Sequence, residues 1–278
     1  MKPIWAIQVN LSGAPRPWPF TSGGGDIMAL MAAVKLCGGE VLTLDAVPFD
    51  PDIPAELLKV DPDRQVILYG STNFVNQAWG RRTWKPGAWY DPVKFSCRAY
   101  QDNWGEAMVN SDALFTTFAE FQKKDFHPDR LFFVRPESDL KEFAGEVVQF
   151  GSFQKWRMMG LDPYQVLSEH TRIIASAPVN ILLEWRCFMV NGKCVAGSQY
   201  RKHFDLCVSA TLPKEVRDFA EAQAAKWSPA KIFVLDVAQC NPSWDDLYIV
   251  EAGCVNSAGF YASNIEAIVT SIHHAISA

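Results

Sequence analysis

Two alternating runs, ILLEWRCFMV and KCVAGSQYRK, meet at the dipeptide Asn191–Gly192, and this junction restricts the fold more than any other feature of the chain. Asn-Gly tolerates the positive φ angles of a type I′ turn, whose twist matches that of two antiparallel strands. The segment therefore predicts a hairpin, and with it an antiparallel sheet. The two-residue period places Glu184, Arg186 and Phe188 on one face and Trp185, Cys187 and Met189 on the other. The return run ends in Tyr200, Arg201 and Lys202, a basic tip.

Two later runs, KIFVLDVAQ and LYIVEAG, read as further strands. Each carries one acid inside an apolar stretch, Asp236 and Glu251, separated by a hairpin-sized 251 − 236 = 15 positions. Carboxylates in apolar strands are costly unless they are paired or bind metal. Two acceptor-only groups facing basic side chains suit Mg²⁺ on phosphates, because Mg²⁺ commonly takes one or two carboxylates plus phosphate oxygens. The alternative is neutralisation by Arg186 or Lys202 in a structural network. A third charged cluster is FVRPESDLKEFAGEVV, where Arg135 ends a strand, Lys141 sits in the loop and Gly145 begins the return strand. A cation at a strand end beside a polar loop can hold phosphate oxygens, or Arg135 can pair with Glu137 or Asp139.

Upstream, strand and helix signals alternate. Ile4–Asn10 reads as a strand, Gly23–Gly25 as a connecting turn, and the segment from Asp26 as a helix stopped by Gly38–Gly39. Strands follow at Glu40–Ala46 and Gln65–Gly70, which predicts a small parallel α/β layer. Trp79–Tyr100 reads as irregular. Ser111–Lys124 reads as a helix with Leu114, Phe115, Phe118 and Phe121 on one face. Lys214–Trp227 and Asn264–Ile276 are amphipathic helices. The expected division is an N-terminal α/β domain over residues 1–92 and a second, α+β domain over 93–278.

Composition excludes several classes. With 49% apolar and 21% charged residues the chain is neither disordered nor fibrous. No run approaches the ~18 apolar residues of a membrane helix, and polar Gln8 and Asn10 come too early for a signal-peptide core. A net charge of −5 gives no footprint for nucleic acid or anionic lipid. Seven cysteines without a C-x-x-C pair, and five histidines without H-E-x-x-H, point to reduced thiols in a cytoplasmic protein rather than a zinc or disulfide framework.

In order and spacing, the three charged clusters resemble the ATP-grasp superfamily from about Ser111 onward. FVRP and its following loop resemble the family's phosphate-covering unit, Glu137–Gly145 being the mobile loop and Arg135 standing where the family usually has lysine. VLSEH, Val166 to His170, resembles the hinge strand that contacts adenine and ribose. EWRCFMVNGKCVAGSQYR resembles the family's acid-x-Arg … Asn/Asp-Gly-Lys segment. The Arg-Pro, the loop Lys and the Ser-x-Tyr ending resemble the clade named for one arginine and two lysines. The pattern departs at Gly253, where Glu-x-Asn would place Asn; Asn256 is the substitute amide for the metal.

The resemblance implies an ATP-grasp fold of two α+β subdomains behind a small α/β N-terminal domain. It also implies a ligase that joins a small-molecule or peptide carboxylate to an amine through an acylphosphate, using ATP and Mg²⁺. Asp236, Glu251 and Asn256 are then the metal residues, and Arg135 and Lys141 the phosphate cations. Glu169 and Glu184 are nucleotide contacts. Arg186 and Lys202 handle the transferring phosphate or the substrate carboxylate. A kinase on the same scaffold and a silent nucleotide-binding or interaction module are the alternatives.

Overall fold

In this computed structural model the described residues are 2–9, 25–45, 53–81, 84–137, 143–159, 168–203, 205–241 and 246–277. The N-terminal layer comprises β1 (Ile4–Val9), α1 (Gly25–Leu36), β2 (Glu40–Asp45), α2 (Ala55–Leu58), β3 (Gln65–Tyr69), α3 (Thr72–Arg81) and β4 (Lys85–Gly87). Its four strands are parallel in the order β2-β1-β3-β4. A parallel sheet is covered on both faces, and β1 accordingly buries Trp5 and Ile7 on one side and Ile4 and Ala6 on the other.

After the helix α4 (Cys97–Trp104), a second layer follows. It contains β5 (Leu114–Thr117), α5 (Phe118–Gln122), β6 (Leu131–Pro136), β7 (Glu146–Gln149), α6 (Phe153–Met159) and β8 (Arg172–Ser176). Its antiparallel order is β5-β8-β6-β7. One face of this sheet carries Phe132, Val134, Val148, Ile173 and Ala175, sealed by Phe118, Phe121, Phe143 and Phe153. The Phe121 ring sits 4.9–6.1 Å from the rings of Phe126, Phe132, Phe150 and Phe153.

The third layer holds β9 (Leu183–Val190), β10 (Lys193–Lys202), β11 (Asp205–Ser209), α7 (Lys214–Lys226), β12 (Ile232–Gln239), β13 (Leu247–Gly253) and α8 (Ile265–Ser277). The antiparallel order is β11-β10-β9-β12-β13. Asn191 (φ 51°) and Gly192 (φ 76°) form the expected turn. Trp185, Cys187 and Met189 pack with α7 in a cluster that runs on into the N-terminal sheet, whereas Phe188 and Val190 pack with α1 and α8. The mixture of helix and sheet is the α+β class the sequence predicts. Among the described residues no helix is long and apolar enough to cross a membrane.

Three local expectations are corrected. Ser111–Lys124 is not one helix: residues 114–117 form β5 and pair with β8, and Thr117 caps the short α5 by accepting from Glu120 N at 3.2 Å. Pairing across the sheet outweighs the local 3.6-residue spacing of aromatics, and the β-branched Thr116 and Thr117 favour it. Trp79–Tyr100 is not wholly irregular, since it contains the end of α3, β4 and the start of α4. Within Val166–His170 only 168–170 are described. They form a turn ahead of β8 rather than a strand, and the rest of that segment lies outside the described residues.

One buried histidine ties the N-terminal sheet to α8. Trp5 Nε1 donates to His273 Nε2 at 2.9 Å, so the ring is neutral with its proton on Nδ1, 3.2 Å from the Cys37 carbonyl. Burial lowers the His273 pKa, with the Cys37 carbonyl opposing and His274 reinforcing the shift. A folded-state pKa below the unfolded value makes stability complete above about pH 6.5 and lost as pH falls beneath it. Urea midpoints of the wild type should therefore drop between pH 7 and pH 5.5, and His273→Phe should flatten that part of the profile.

Candidate active site

Alternation along β9 and register with β12 put Glu184, Arg186 and Asp236 on the face that also bears Phe188. Asp236 stands opposite Arg186 on one side and Glu251 on the other. An irregularity in pairing between Asp236 and Val237 turns Glu251 onto this face, although Ile249 points to the opposite one. Gly253 follows two residues later. A Cβ there would lie 2.9 Å from Val234 Cγ2, so an asparagine where the Glu-x-Asn pattern has it would require that side chain to shift.

Arg186 and Asp236 form a two-pronged ion pair, Nε to Oδ1 at 2.9 Å and Nη2 to Oδ2 at 2.8 Å, with side chains 12% and 3% exposed. Arg186 Nη1 also donates to the Gly259 carbonyl at 3.4 Å. Burial opposes the Arg186 charge, but Asp236 more than offsets it and the pKa is raised. The guanidinium carbon lies 5.6 Å from the Tyr200 ring centre and 5.2 Å from that of Tyr261, and the two rings stack at 4.9 Å with 13° between their planes. Tyr200 donates its hydroxyl to Glu184 Oε2 at 2.5 Å, and Arg201 reaches Glu184 Oε1 at 3.6 Å.

Glu184 is buried, and its pKa is raised by desolvation, with Tyr200 and Arg201 lowering it and Asp236 and Glu251 adding to the rise. A carboxyl with a raised folded pKa loses stability as pH increases from the unfolded value near 4.3 through the folded value. Glu184→Gln should thus remove a fall in urea midpoint on going from about pH 4.3 towards neutrality.

Arg135 links this charged row to the sheet β5-β8-β6-β7, on the face where Ile174 and Ser176 are buried and Arg98 lies 4.2 Å over the Phe115 ring. Leu131, Phe133 and Val147 share that face, Leu131 and Val147 about half exposed, and Arg135 follows on the same strand. Arg135 reaches the charged row, its Nη1 lying 3.4 Å from Glu251 Oε2. Its Nη2 donates to Cys97 Sγ at 2.7 Å. Cys97 begins α4, which is anchored by Tyr100 OH donating to the Ala252 carbonyl at 2.8 Å. Glu137, a sequence alternative as the partner of Arg135, instead accepts from Arg172 at 2.7 and 2.9 Å.

The described residues among the remaining expected site residues do not join this group. Asn256 is buried and structural: Oδ1 accepts from Trp89 N at 2.8 Å, while Nδ2 donates to the carbonyls of Leu68 (2.5 Å) and Gly87 (3.3 Å). Both ends of its amide are used in holding β3 and β4, so it does not serve as the substitute metal amide. Glu169 is in an exposed turn, Lys202 is exposed at the end of β10, and Lys141 lies outside the described residues. Among the described residues no group of three or more His, Cys, Asp or Glu side chains could hold a metal ion.

Two participants were missed in the sequence. Tyr261 has φ 52°, rare for an aromatic residue, and no local pattern announces it. Cys97 could have been noticed only through Ser96, the capping residue in front of it.

A family model described as an ATP-grasp domain, R2K clade family 3, matches residues 69–272. No curated protein matches. Similar solved structures include the D-cycloserine synthetase DcsG, at 14% identity over 98% of each chain with a TM-score of 0.62. A D-alanine–D-alanine ligase from Bacillus anthracis, complexed with ATP, is 12% identical over 100% of this chain and 97% of that one, with a TM-score of 0.60. The ATP-grasp ligase PsnB, complexed with a minimal precursor, is 11% identical over 99% and 98%, with a TM-score of 0.56.

Proposed function

Because the chain belongs to family 3 of the R2K clade of ATP-grasp domains, we propose that it is an ATP-dependent ligase joining a small-molecule or peptide carboxylate to an amine. A carboxylate oxygen attacks the γ-phosphorus, the bond to the bridging β-phosphate oxygen breaks, and ADP leaves. The amine nitrogen then attacks the acyl carbon, phosphate departs with the C–O bonding pair, and the nitrogen loses a proton.

The observation that carries this reading is the charged row Glu184, Arg186, Asp236 and Glu251, joined by Arg135 at 3.4 Å from Glu251. Leu131, Phe133 and Val147 offer apolar surface to a nucleobase. Arg135, at the end of the same strand, suits phosphate oxygens. Lys141 is retained as the second phosphate cation.

Mg²⁺ needs only one or two protein carboxylates beside phosphate oxygens. Glu251, 26% exposed and 3.4 Å from Arg135, fits that requirement. Asp236, with both oxygens committed to Arg186, fits poorly, and Asn256 does not fit. When bound, Mg²⁺ neutralises phosphate charge.

Arg186 has five N–H donors, of which two go to Asp236 and one to Gly259. The remaining pair can orient the transferring phosphate or the substrate carboxylate, with the Asp236 fork and the stacked tyrosines fixing the plane of the guanidinium. Lys202 is the longer-reaching candidate for the same task.

The similar proteins include a D-alanine–D-alanine ligase and a ligase complexed with a precursor peptide, so amino acids and peptides are the first substrates to screen. ADP release from Mg·ATP should require both a carboxylate and an amine, and mass spectrometry should find a product lighter than their sum by one water. Release with a single acceptor and a stable phosphorylated product would mean a kinase. Nucleotide binding without any turnover would mean a binding module.

A further inference from the structure

Beyond Arg186, about 16 Å along at the rise of a strand, β9 ends in the Asn191–Gly192 turn. A cavity of about 630 Å³ lies beside that turn, lined also by the C-terminal half of α7, the loop leading into β12 and Lys94. Three lysines far apart in sequence, Lys94, Lys193 and Lys231, meet there, and all three are exposed. Glu221 is the one acid among the described residues that line the cavity, which leaves the lining positive in a chain whose net charge is −5. We propose that this cavity binds a small polyanion, a compact molecule bearing two or more phosphate or carboxylate charges.

The fold does not consume these charges. Lys193 gives one donor to Glu221 Oε2 at 2.8 Å, and the other oxygen of that carboxylate accepts from Cys194 N at 3.1 Å. Lys231 gives one donor to the Ala275 carbonyl at 2.6 Å, a neutral partner that leaves the ammonium charge uncompensated. Lys94 forms no ion pair with the described residues. An ammonium has three N–H donors, so each lysine keeps at least two for a ligand.

The rest of the lining chooses among anions. The volume falls within the ~300–1,000 Å³ of small-molecule sites. Ala224 and Ala225 add small apolar surface that leaves the space open. Among the described residues neither an arginine nor an aromatic ring lines the cavity, so it offers no planar fork and no stacking surface for a nucleobase. Lysine acts as a compact point charge. Several such charges around one cavity favour a ligand whose own charges lie close together over one with a single carboxylate. The cavity shares no residue with the row that holds Arg186 and Glu251, and the proposal does not depend on the nucleotide reading.

Titration calorimetry in metal-free, low-salt buffer, with inorganic pyrophosphate and with citrate, tests the assignment. At least one probe should bind far more tightly than acetate, whose single charge is the control. Tighter binding of pyrophosphate assigns phosphate chemistry to the ligand, and tighter binding of citrate assigns carboxylate chemistry. Lys94→Gln combined with Lys231→Gln leaves the Lys193–Glu221 pair intact and should weaken the binding at least about tenfold, an effect that salt should erode. Glu221→Gln should tighten it. Lys35→Gln combined with Lys59→Gln removes the same charge from exposed positions outside the cavity and should change nothing. Amide NMR signals of residues 191–193 and 228–231 should shift on titration. Binding no tighter than acetate would overturn the proposal, as would a loss equal in the two double variants. Shifts confined to the surroundings of Arg135 and Arg186 would also overturn it, by placing the anion in the charged row. Neither probe is a nucleotide, so a chain that binds no Mg·ATP would defeat the nucleotide reading and leave these outcomes unchanged.

Discussion

Asp236→Asn should lower the stability of the nucleotide-free protein by about 3–5 kcal/mol, the usual cost of removing one partner from a buried ion pair. Asp236 is 3% exposed and holds Arg186 through two bonds of 2.8–2.9 Å, so the neutral amide leaves an uncompensated guanidinium behind it. Arg186→Met should cost a similar amount by removing the counter-ion of a buried carboxylate. Glu251→Gln, in a wetter and longer contact, should change stability by less than about 1 kcal/mol. Urea denaturation of the three variants separates the cases. Equal, small effects for Asp236 and Glu251 would return Asp236 to the role of a free metal carboxylate.

Asn256→Asp should be as damaging, although aspartate is the better metal ligand. The amide Nδ2 donates to the Leu68 and Gly87 carbonyls, and a carboxylate oxygen in its place faces two acceptors while bringing a charge into a buried site. Losing these bonds and burying an unpaired acceptor should cost about 3 kcal/mol or more. The loss should show as a lower urea midpoint and as faster hydrogen exchange in β3 and β4. Wild-type stability in this variant would contradict the structural role and reopen the metal reading.

These residues show how far the chain could be read without its fold. The Asn191–Gly192 hairpin, the division of Glu184 and Arg186 from Trp185 and Cys187, and the pairing of Asp236 with Glu251 were all legible, because strand periodicity and turn chemistry are local. The short strand Leu114–Thr117 was not, because its partner β8 is distant in sequence and its aromatics have helical spacing.

The candidate site divides in the same way. Which residue types bear charge in apolar strands followed from sequence alone, and so did the family, because strand-borne acids, an Arg-Pro strand end and an Asn-Gly turn recur in fixed order. Partner choice did not follow. Asp236 could have faced a metal, Lys202 or Arg186, and the register of β9 against β12 selected Arg186. Asn256 could have reached the acids, but the three-residue turn after β13 buries it under the N-terminal sheet. Arg135 met Glu251 and Cys97 rather than its sequence neighbour Glu137, because the approach of two sheets and α4 brings those side chains together. Sequence determined the inventory of charges and the strands that carry them. Ion pairs need atoms within a few ångströms, so only the packing of distant segments decided which charge neutralises which.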